Sequence, residues 1–417
     1  MRIFKFGGAS VKNAEGVKNL VKVLKKEGSS NTLIVISAMG KMTNAFEKII
    51  DSYYKNTKEL VTNIETVRAF HTNLVNDLFE NSTEILFEIE ILFGKLSGFL
   101  TSNNSNDYNY IYDQIIGFGE LLSTKIVSHY LNEIAITNNW IDVREYIITD
   151  NNYRAAKVDW DTTTTNIQKL NTTNLYITQG FLGSCSTKKT TSLGREGSDF
   201  SAAIFAHCLN AKSLTIWKDV DGVLNADPRY FNETQLLEQI SYSEAIEMAF
   251  YGASVIHPKT LKPLENKNIP LFVRSFLNLD KEGTVVGKGS KLIPETPCFI
   301  LKQNQILVSI SALDFSFMVE HNLSTIFKML HNSKLKVNLI QNSALSFSVC
   351  IEDNFNNFDS FLKEIKPNFN IQYKKNTALF TIRHATKNAI SNIEKKGAIL
   401  LKQATKNTVQ IVIEQSH

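Results

Sequence analysis

Arg2-Ile3-Phe4-Lys5-Phe6-Gly7-Gly8 reads as a short β run that stops at a pair of glycines. After it Val17, Leu20, Val21 and Leu24 recur at i, i+3, i+4 and i+7, the stripe of a helix laid on a sheet. Thr32-Leu33-Ile34-Val35-Ile36 is then an apolar run consistent with a buried parallel strand. Strand, helix and strand in that order predict an α/β fold with a mainly parallel central sheet flanked by helices.

From Thr43 to about Tyr130 the pattern is mainly helical, interrupted by the polar stretch Ser102–Asn106. Strand-like segments return at Leu175–Thr178, Leu214–Trp217 and Leu271–Val273, separated by helices. Gly283, Gly287 and Gly289, set among short apolar residues, are expected to close a first domain, which divides the chain into 1–287 and 288–417. The second part has another rhythm. Gln305–Ile310 is strand-like, Leu323, Ile326, Phe327 and Leu330 make a helical stripe, and Lys336–Ile340 and Leu345–Ile351 look like two more strands. The same β-α-β-β order recurs at Ala378–Ile382, Thr386–Lys395, Ala398–Lys402 and Val409–Ile413. Between the copies lie a helical stripe at Phe355, Phe358, Leu362 and Ile365 and a strand near Ile371–Tyr373. The repeat predicts two α+β, ferredoxin-like modules, with the sharing of the linking helix and strand left open.

The chain of 417 residues is 43% hydrophobic and 21% charged, the composition of an ordinary globular protein. A net charge of +4, with no basic cluster interleaved with aromatics, argues against a nucleic-acid partner. Cys185, Cys208, Cys298 and Cys350 form no CxxC pair and read as buried or incidental thiols of a reducing compartment. The immediate strand at the N-terminus leaves no room for a signal peptide, and no apolar run approaches bilayer length. A cytoplasmic protein without a membrane partner is expected.

Three segments can carry chemistry. In Lys5-Phe6-Gly7-Gly8-Ala9-Ser10-Val11 a lysine at a strand end stands beside two glycines, where it can reach a transferred phosphate while backbone amides cradle it. The GxxxxGK[ST] order is absent, so this is no Walker loop, and a lysine before a tight turn is the plain alternative. In Gly194-Arg195-Glu196-Gly197-Ser198-Asp199 glycines admit a ligand to backbone N–H groups at a helix start that favours negative charge. Arg195 adds a planar fork for a carboxylate or phosphate, and Asp199 a counter-charge for an ammonium. The plain alternative is a surface loop followed by a helix with Ser198 as N-cap. In Trp217-Lys218-Asp219-Val220-Asp221-Gly222-Val223-Leu224-Asn225-Ala226-Asp227-Pro228-Arg229, Asp219 follows a strand at the carboxyl edge where open α/β sheets bind ligands. Arg229 is placed to hold phosphates; an acidic, turn-rich connection without a ligand is the alternative.

Together these segments resemble the amino-acid kinase superfamily, and within it the aspartate kinases, over about Met1 to Gly287. Lys5–Val11 is similar to the family's Lys-Phe-Gly-Gly-Thr-Ser-Val opening, with Ala9 for the threonine. Ser37-Ala38-Met39 and Thr43-Asn44 resemble its second-strand loop, Gly119-Glu120-Leu121-Leu122-Ser123 its helical motif, and Gly252–Lys259 a later signature. The tail resembles the paired ACT modules of those kinases. The resemblance implies transfer of the ATP γ-phosphoryl to the β-carboxylate of L-aspartate, the first step towards lysine, threonine and methionine. It implies Lys5 with the Gly7 and Gly8 amides as the phosphoryl-neutralising set, and Arg195 on the substrate α-carboxylate. Glu120 and Asp199 would bind the ammonium, and Ser37, Thr43 and Ser198 would orient the substrate. Lys218, Asp219, Leu224 and Arg229 would line the nucleotide site, with Mg²⁺ bridging the phosphates and no protein ligand assigned to it. An amino-acid effector at the ACT-like modules and a homodimer or higher homo-oligomer are implied as well.

The chain also departs from that pattern. Lys218 stands for a threonine or serine, and Ser254 for a nucleotide-binding lysine that Lys218 or Lys259 would have to replace. Lys259 reads as a solvated helix residue and His257 as structural. In the tail, Asn338 and Ala344 replace two acidic residues that would grip a lysine effector, and His321-Asn322 replaces a Gly-Phe pair. Inhibition by lysine in the usual manner is therefore not expected; threonine, another amino acid or no effector stay open. No GxGxxG follows the tail, so no fused homoserine dehydrogenase is expected in this chain. A kinase of another amino acid and a catalytically weak amino-acid sensor are the alternatives.

Overall fold

Arg2–Phe6 becomes a central strand of an eight-stranded sheet in a computed structural model, which describes residues 1–253, 256–289, 291–314 and 316–415. Across the sheet the strands run Gln239–Ser241, Thr284–Gly287, Leu271–Ser275, Leu214–Lys218, Arg2–Phe6, Thr32–Ile36, Leu175–Gln179 and Asn139–Ile141. Neighbours are parallel except where Thr284–Gly287 meets Leu271–Ser275, so the sheet is mainly parallel as expected. Thr32–Ile36 is buried at every position, which its unbroken apolar run requires. Between it and the first strand lies helix Ala14–Glu27, which buries Val17, Leu20, Val21 and Leu24 and starts on an Asn13 cap. The helical stretch resolves into helices ending at Tyr54, Leu78, Ser102, Ile116 and Glu133. The polar break at Ser102–Asn106 is the turn before helix Tyr108–Ile116, whose first amides are accepted by Asp107.

This sheet and its helices form one compact unit, built from Met1–Val223, Leu236–Ile246 and Ile256–Ile293. Thr284–Gly287, in the glycine-bearing stretch read as a domain end, is itself a strand of the sheet. Its β-branched Thr284, Val285 and Val286 pair with Val273, Phe272 and Leu271.

A second unit comprises Leu224–Gln235, a segment from Glu247, and the chain from Pro294 onward. Its six-stranded antiparallel sheet runs Lys336–Asn342, Ser346–Glu352, Cys298–Ala312, Phe369–Arg383, Thr408–Glu414 and Ile399–Ala404. The strand segments read separately near Ile371–Tyr373 and at Ala378–Ile382 are one strand of 15 residues, and Cys298–Ala312 is a second of equal length. Each passes from one module into the other at an asparagine in the left-handed region, Asn304 (φ 55) and Asn376 (φ 56), where the pairing register also shifts. The sharing left open in the sequence is thereby settled. The later half of Cys298–Ala312 and the start of Phe369–Arg383 complete a β-α-β-β-α-β module with helices Glu320–Asn332 and Phe358–Ile365. The remaining halves, with helix Lys387–Glu394 and the last two strands, make the other. That second module carries one helix, and Phe231 packs on its open side against Phe299 and Phe380, ring centroids 5.4 and 6.4 Å away.

Candidate active site

Side chains alternate along a strand, so Phe4 and Phe6 share one face of the first strand while Lys5 takes the other. Phe6 stacks on Trp217 of the neighbouring strand at 6.1 Å, and Lys5 ion-pairs with Asp199 at 2.6 Å, Nζ to Oδ1. Both partners are buried, a setting in which a charged group is stable only when matched. The chain leaves the strand through Gly7 and a 3₁₀ turn at Gly8–Val11. A side chain at Gly8 would stand 2.6 Å from the Ala38 carbonyl oxygen, so a glycine is needed where this turn meets the loop after the second strand. Gly40 N–H donates to the Gly8 carbonyl across the same contact at 2.9 Å.

Glu120 lies in the first turn of helix Phe118–Glu133, where the close approach of Gly119 to Ala38 lets the carboxyl reach the loop. Oε1 accepts a long bond from Ala38 N–H at 3.4 Å; Oε2 is buried without a partner among the described residues. Burial pushes its pKa up to about 8. Ser37, just past the second strand, donates its N–H to the Phe6 carbonyl, and Thr43 sits in the first turn of helix Met42–Tyr54.

Gly194–Asp199 links strand Thr190–Ser192 to helix Gly197–Cys208. Gly194 (φ 79) and Glu196 (φ 52) both take the left-handed region. Glu196 is the residue at the helix start and makes no side-chain cap, whereas Ser198 already lies inside the helix. The Ser198 cap of the plain alternative is therefore absent: the turn closes through backbone bonds, with Gly197 N–H donating to the Gly194 carbonyl and Asp199 N–H to the Glu196 carbonyl. A side chain at Gly180 would meet Ser198 Cβ at 2.5 Å, so the helix mouth is pressed against the turn after strand Leu175–Gln179. Ser201 Oγ holds that turn by accepting Phe181 N–H at 2.9 Å.

Lys5, Ser37, Thr43, Glu120, Arg195, Ser198 and Asp199 all line one cavity of about 390 Å³. Arg195 is exposed at its rim. Four further lining residues, Tyr112, Arg154, Phe181 and Ser192, escaped the sequence reading. Arg154 lay hidden in the turn-like Asn151-Asn152-Tyr153-Arg154, where no pattern separates a working arginine from a solvated one. Buried Asp113 organises this wall: it accepts the Ser192 N–H and hydroxyl at 2.8 and 2.6 Å and the Arg154 N–H at 2.9 Å.

Lys218, Asp219, Leu224 and Arg229 do not line this cavity. Lys218 ends the strand beside Lys5's, and exposed Asp219 follows it on the same sheet edge. Leu224 ends the short strand Val223–Leu224, and Arg229 is exposed and held by Asp227 at 2.5 Å. Lys259 is an exposed helix residue, as expected, yet its ammonium is engaged: it donates to the Leu193 carbonyl at 2.9 Å and lies 5.0 Å over the Phe200 ring, and partial burial depresses its pKa. His257 is a helix cap, its Nδ1 accepting Lys259 N–H. Ser254 lies outside the described residues. The four cysteines are buried, and none forms a disulfide among the described residues. No described helix is long and apolar enough to cross a membrane.

Residues 1–275 match the amino acid kinase family. The bifunctional aspartokinase/homoserine dehydrogenase 2 of Arabidopsis thaliana is 30% identical over 84% of this chain, which spans only 39% of that relative. The lysine-sensitive aspartokinase 3 of Escherichia coli is 29% identical over 84% of this chain and 78% of its own length. The structure of E. coli aspartokinase III in complex with aspartate and ADP superposes with a TM-score of 0.81 at 25% identity, covering 99% of this chain and 96% of that one.

Proposed function

The chain belongs to the amino acid kinase family, and we propose that within it the protein is an aspartate kinase, moving the γ-phosphoryl of ATP onto the β-carboxylate of L-aspartate. The observation that carries this reading is one cavity that brings together a paired lysine at the carboxyl edge of a parallel sheet, a buried carboxyl with one unpartnered oxygen, and two arginines. The aspartate and ADP held by the E. coli relative support it.

In this reading a carboxylate oxygen attacks the γ-phosphorus, the bond to the β–γ bridging oxygen breaks, and ADP leaves; no proton has to be removed first. Catalysis is therefore positioning and charge neutralisation. Lys5 supplies the neutralising cation, and its ion pair with Asp199 supports a role for that carboxylate in holding the ammonium at the strand end. With Asp199 so occupied, the substrate ammonium falls to Glu120, whose Oε2 has no other partner. Arg195 grips the α-carboxylate, and Ser37, Thr43 and Ser198 orient the amino acid. Asp219 and Lys218 belong to the nucleotide side on the adjoining strand end, with Leu224 and Arg229 further along the same segment. No group of three or more described His, Cys, Asp or Glu side chains is arranged to cage a metal, so Mg²⁺ would enter on the nucleotide phosphates. The terminal strands Lys336–Asn342 and Ile399–Ala404 leave sheet edges through which two copies would pair.

A coupled assay of aspartate-dependent ADP release tests the proposal. Turnover with aspartate but not glutamate is expected; silence at saturating aspartate and Mg-ATP would leave a binding protein instead.

A further inference from the structure

Arg154 is a long side chain on a backbone that long side chains avoid, with φ 69. The surrounding structure imposes this conformation. Arg154 N–H donates to Asp113 Oδ2, and the same buried carboxylate holds Ser192, two residues before Gly194. A side chain on Gly194 would stand 3.1 Å from the Arg154 carbonyl oxygen, so the turn bearing Arg154 abuts the loop bearing Arg195. The guanidinium lies 4.4 Å from the centroid of the Tyr112 ring, which is itself fixed by its hydroxyl donating to Glu47 at 3.0 Å. Stacking occupies the flat face of a guanidinium and leaves its edge donors free for a planar anion. Among the described residues Arg154 forms no ion pair within the cavity it lines.

The charges lining that cavity are uneven. Lys5 is matched by Asp199, while Glu120 is held largely neutral by its burial, which leaves Arg154 and Arg195 as guanidiniums against Glu196 alone. Lys5, Ser37 and Asp199 stand where the parallel strands end, whereas Arg154 is tied to helix Tyr108–Ile116 and the strand before Gly194. A dicarboxylic amino acid with its reacting carboxylate toward Lys5 turns its other carboxylate to the arginines. We propose that Arg154 is a second carboxylate clamp, which with Arg195 fixes the non-reacting α-carboxylate of the amino-acid substrate.

The proposal rests on the aspartate-kinase reading, and the test separates the two. Glycine accepts the left-handed backbone, so Arg154→Gly removes the guanidinium without straining the turn, and its melting temperature should match or exceed that of the unaltered chain. Loss of a charge-assisted contact should raise the KM for aspartate about tenfold and leave the KM for ATP in place. Aspartate α-amide, which keeps the β-carboxylate and ammonium but lacks the α-carboxylate, should compete with aspartate equally well in both proteins. An unchanged KM for aspartate, or an equal loss of α-amide affinity, overturns the clamp while the kinase reading stands. A parent chain inert toward aspartate overturns the kinase reading and the clamp with it.

Discussion

Arg195 and Glu120 make opposite demands on the same substrate, and each yields a measurement. Truncating Arg195 removes a forked, charge-assisted contact worth about 1.5–3 kcal/mol per hydrogen bond. Arg195→Ala should therefore raise the KM for aspartate by one to two orders of magnitude and the KM for ATP far less; equal losses on both would place Arg195 elsewhere. Glu120 stores a pH dependence. Its free carboxyl, pushed up to about 8, is mostly protonated at neutral pH, and an arriving ammonium favours the carboxylate. The bound-state pKa is thus below the free-state value, so binding is complete above pH 8 and weakens as pH falls, about tenfold per unit between pH 8 and 6. Calorimetry in buffers of different ionisation enthalpy should show nearly one proton released at pH 7, with Glu120→Gln abolishing the release. Affinity that is flat from pH 6 to 8 would move the ammonium away from Glu120.

Elements meet at glycines here, and two of them separate contact from propensity. A methyl at Gly180 would stand 2.5 Å from Ser198 Cβ and 2.7 Å from its Cα, backbone that cannot swing aside. Gly180→Ala should cost about 1–3 kcal/mol by overpacking and raise the KM for aspartate, because the displaced helix mouth carries Ser198, which orients the substrate. Gly94, exposed inside helix Thr83–Ser102 with nothing within 4 Å, is the control, where alanine should stabilise by about 0.5–1 kcal/mol and leave the kinetics alone. Thermal melts of the two variants check the pair; a neutral Gly180→Ala would show that the contact relaxes freely. Periodicity made the elements themselves legible: Thr32–Ile36 and helix Ala14–Glu27 fall where the apolar spacing put them. It could not show that the Gly197 helix starts without a side-chain cap, since backbone bonds to Gly194 and Glu196 leave no compositional mark. Nor could it find Arg154, whose role depends on a carboxylate 41 residues earlier in the chain.

At the scale of the molecule, the change of rhythm after the last strand of the first sheet marks where the antiparallel sheet begins, while the joining of its modules left no such mark. Polar Gln303-Asn304 and Asn376 look like loop between short strands, yet they are bulges within two continuous ones. That continuity bears on regulation. A lysine effector of the expected kind would need an anion at 338, but Asn338 is already spent: its carbonyl accepts the ammonium of Lys302 at 2.8 Å and its amide donates to Gln305 at 2.7 Å. Burial lowers the Lys302 pKa to about 8, so near neutral pH it is still mainly a cation and opposes a second one beside it. An effector shifts activity only by its differential affinity for two states of the protein, and here the lysine ammonium meets no free acceptor at position 338 to supply it. Lysine at millimolar concentration should therefore leave aspartate-dependent ADP release unchanged, with threonine and methionine assayed separately as the comparison. Lysine inhibition that survives in a Lys302→Met variant would place the effector at other residues, and inhibition in the parent chain that is lost in the variant would show Lys302 taking part in the recognition it is expected to block.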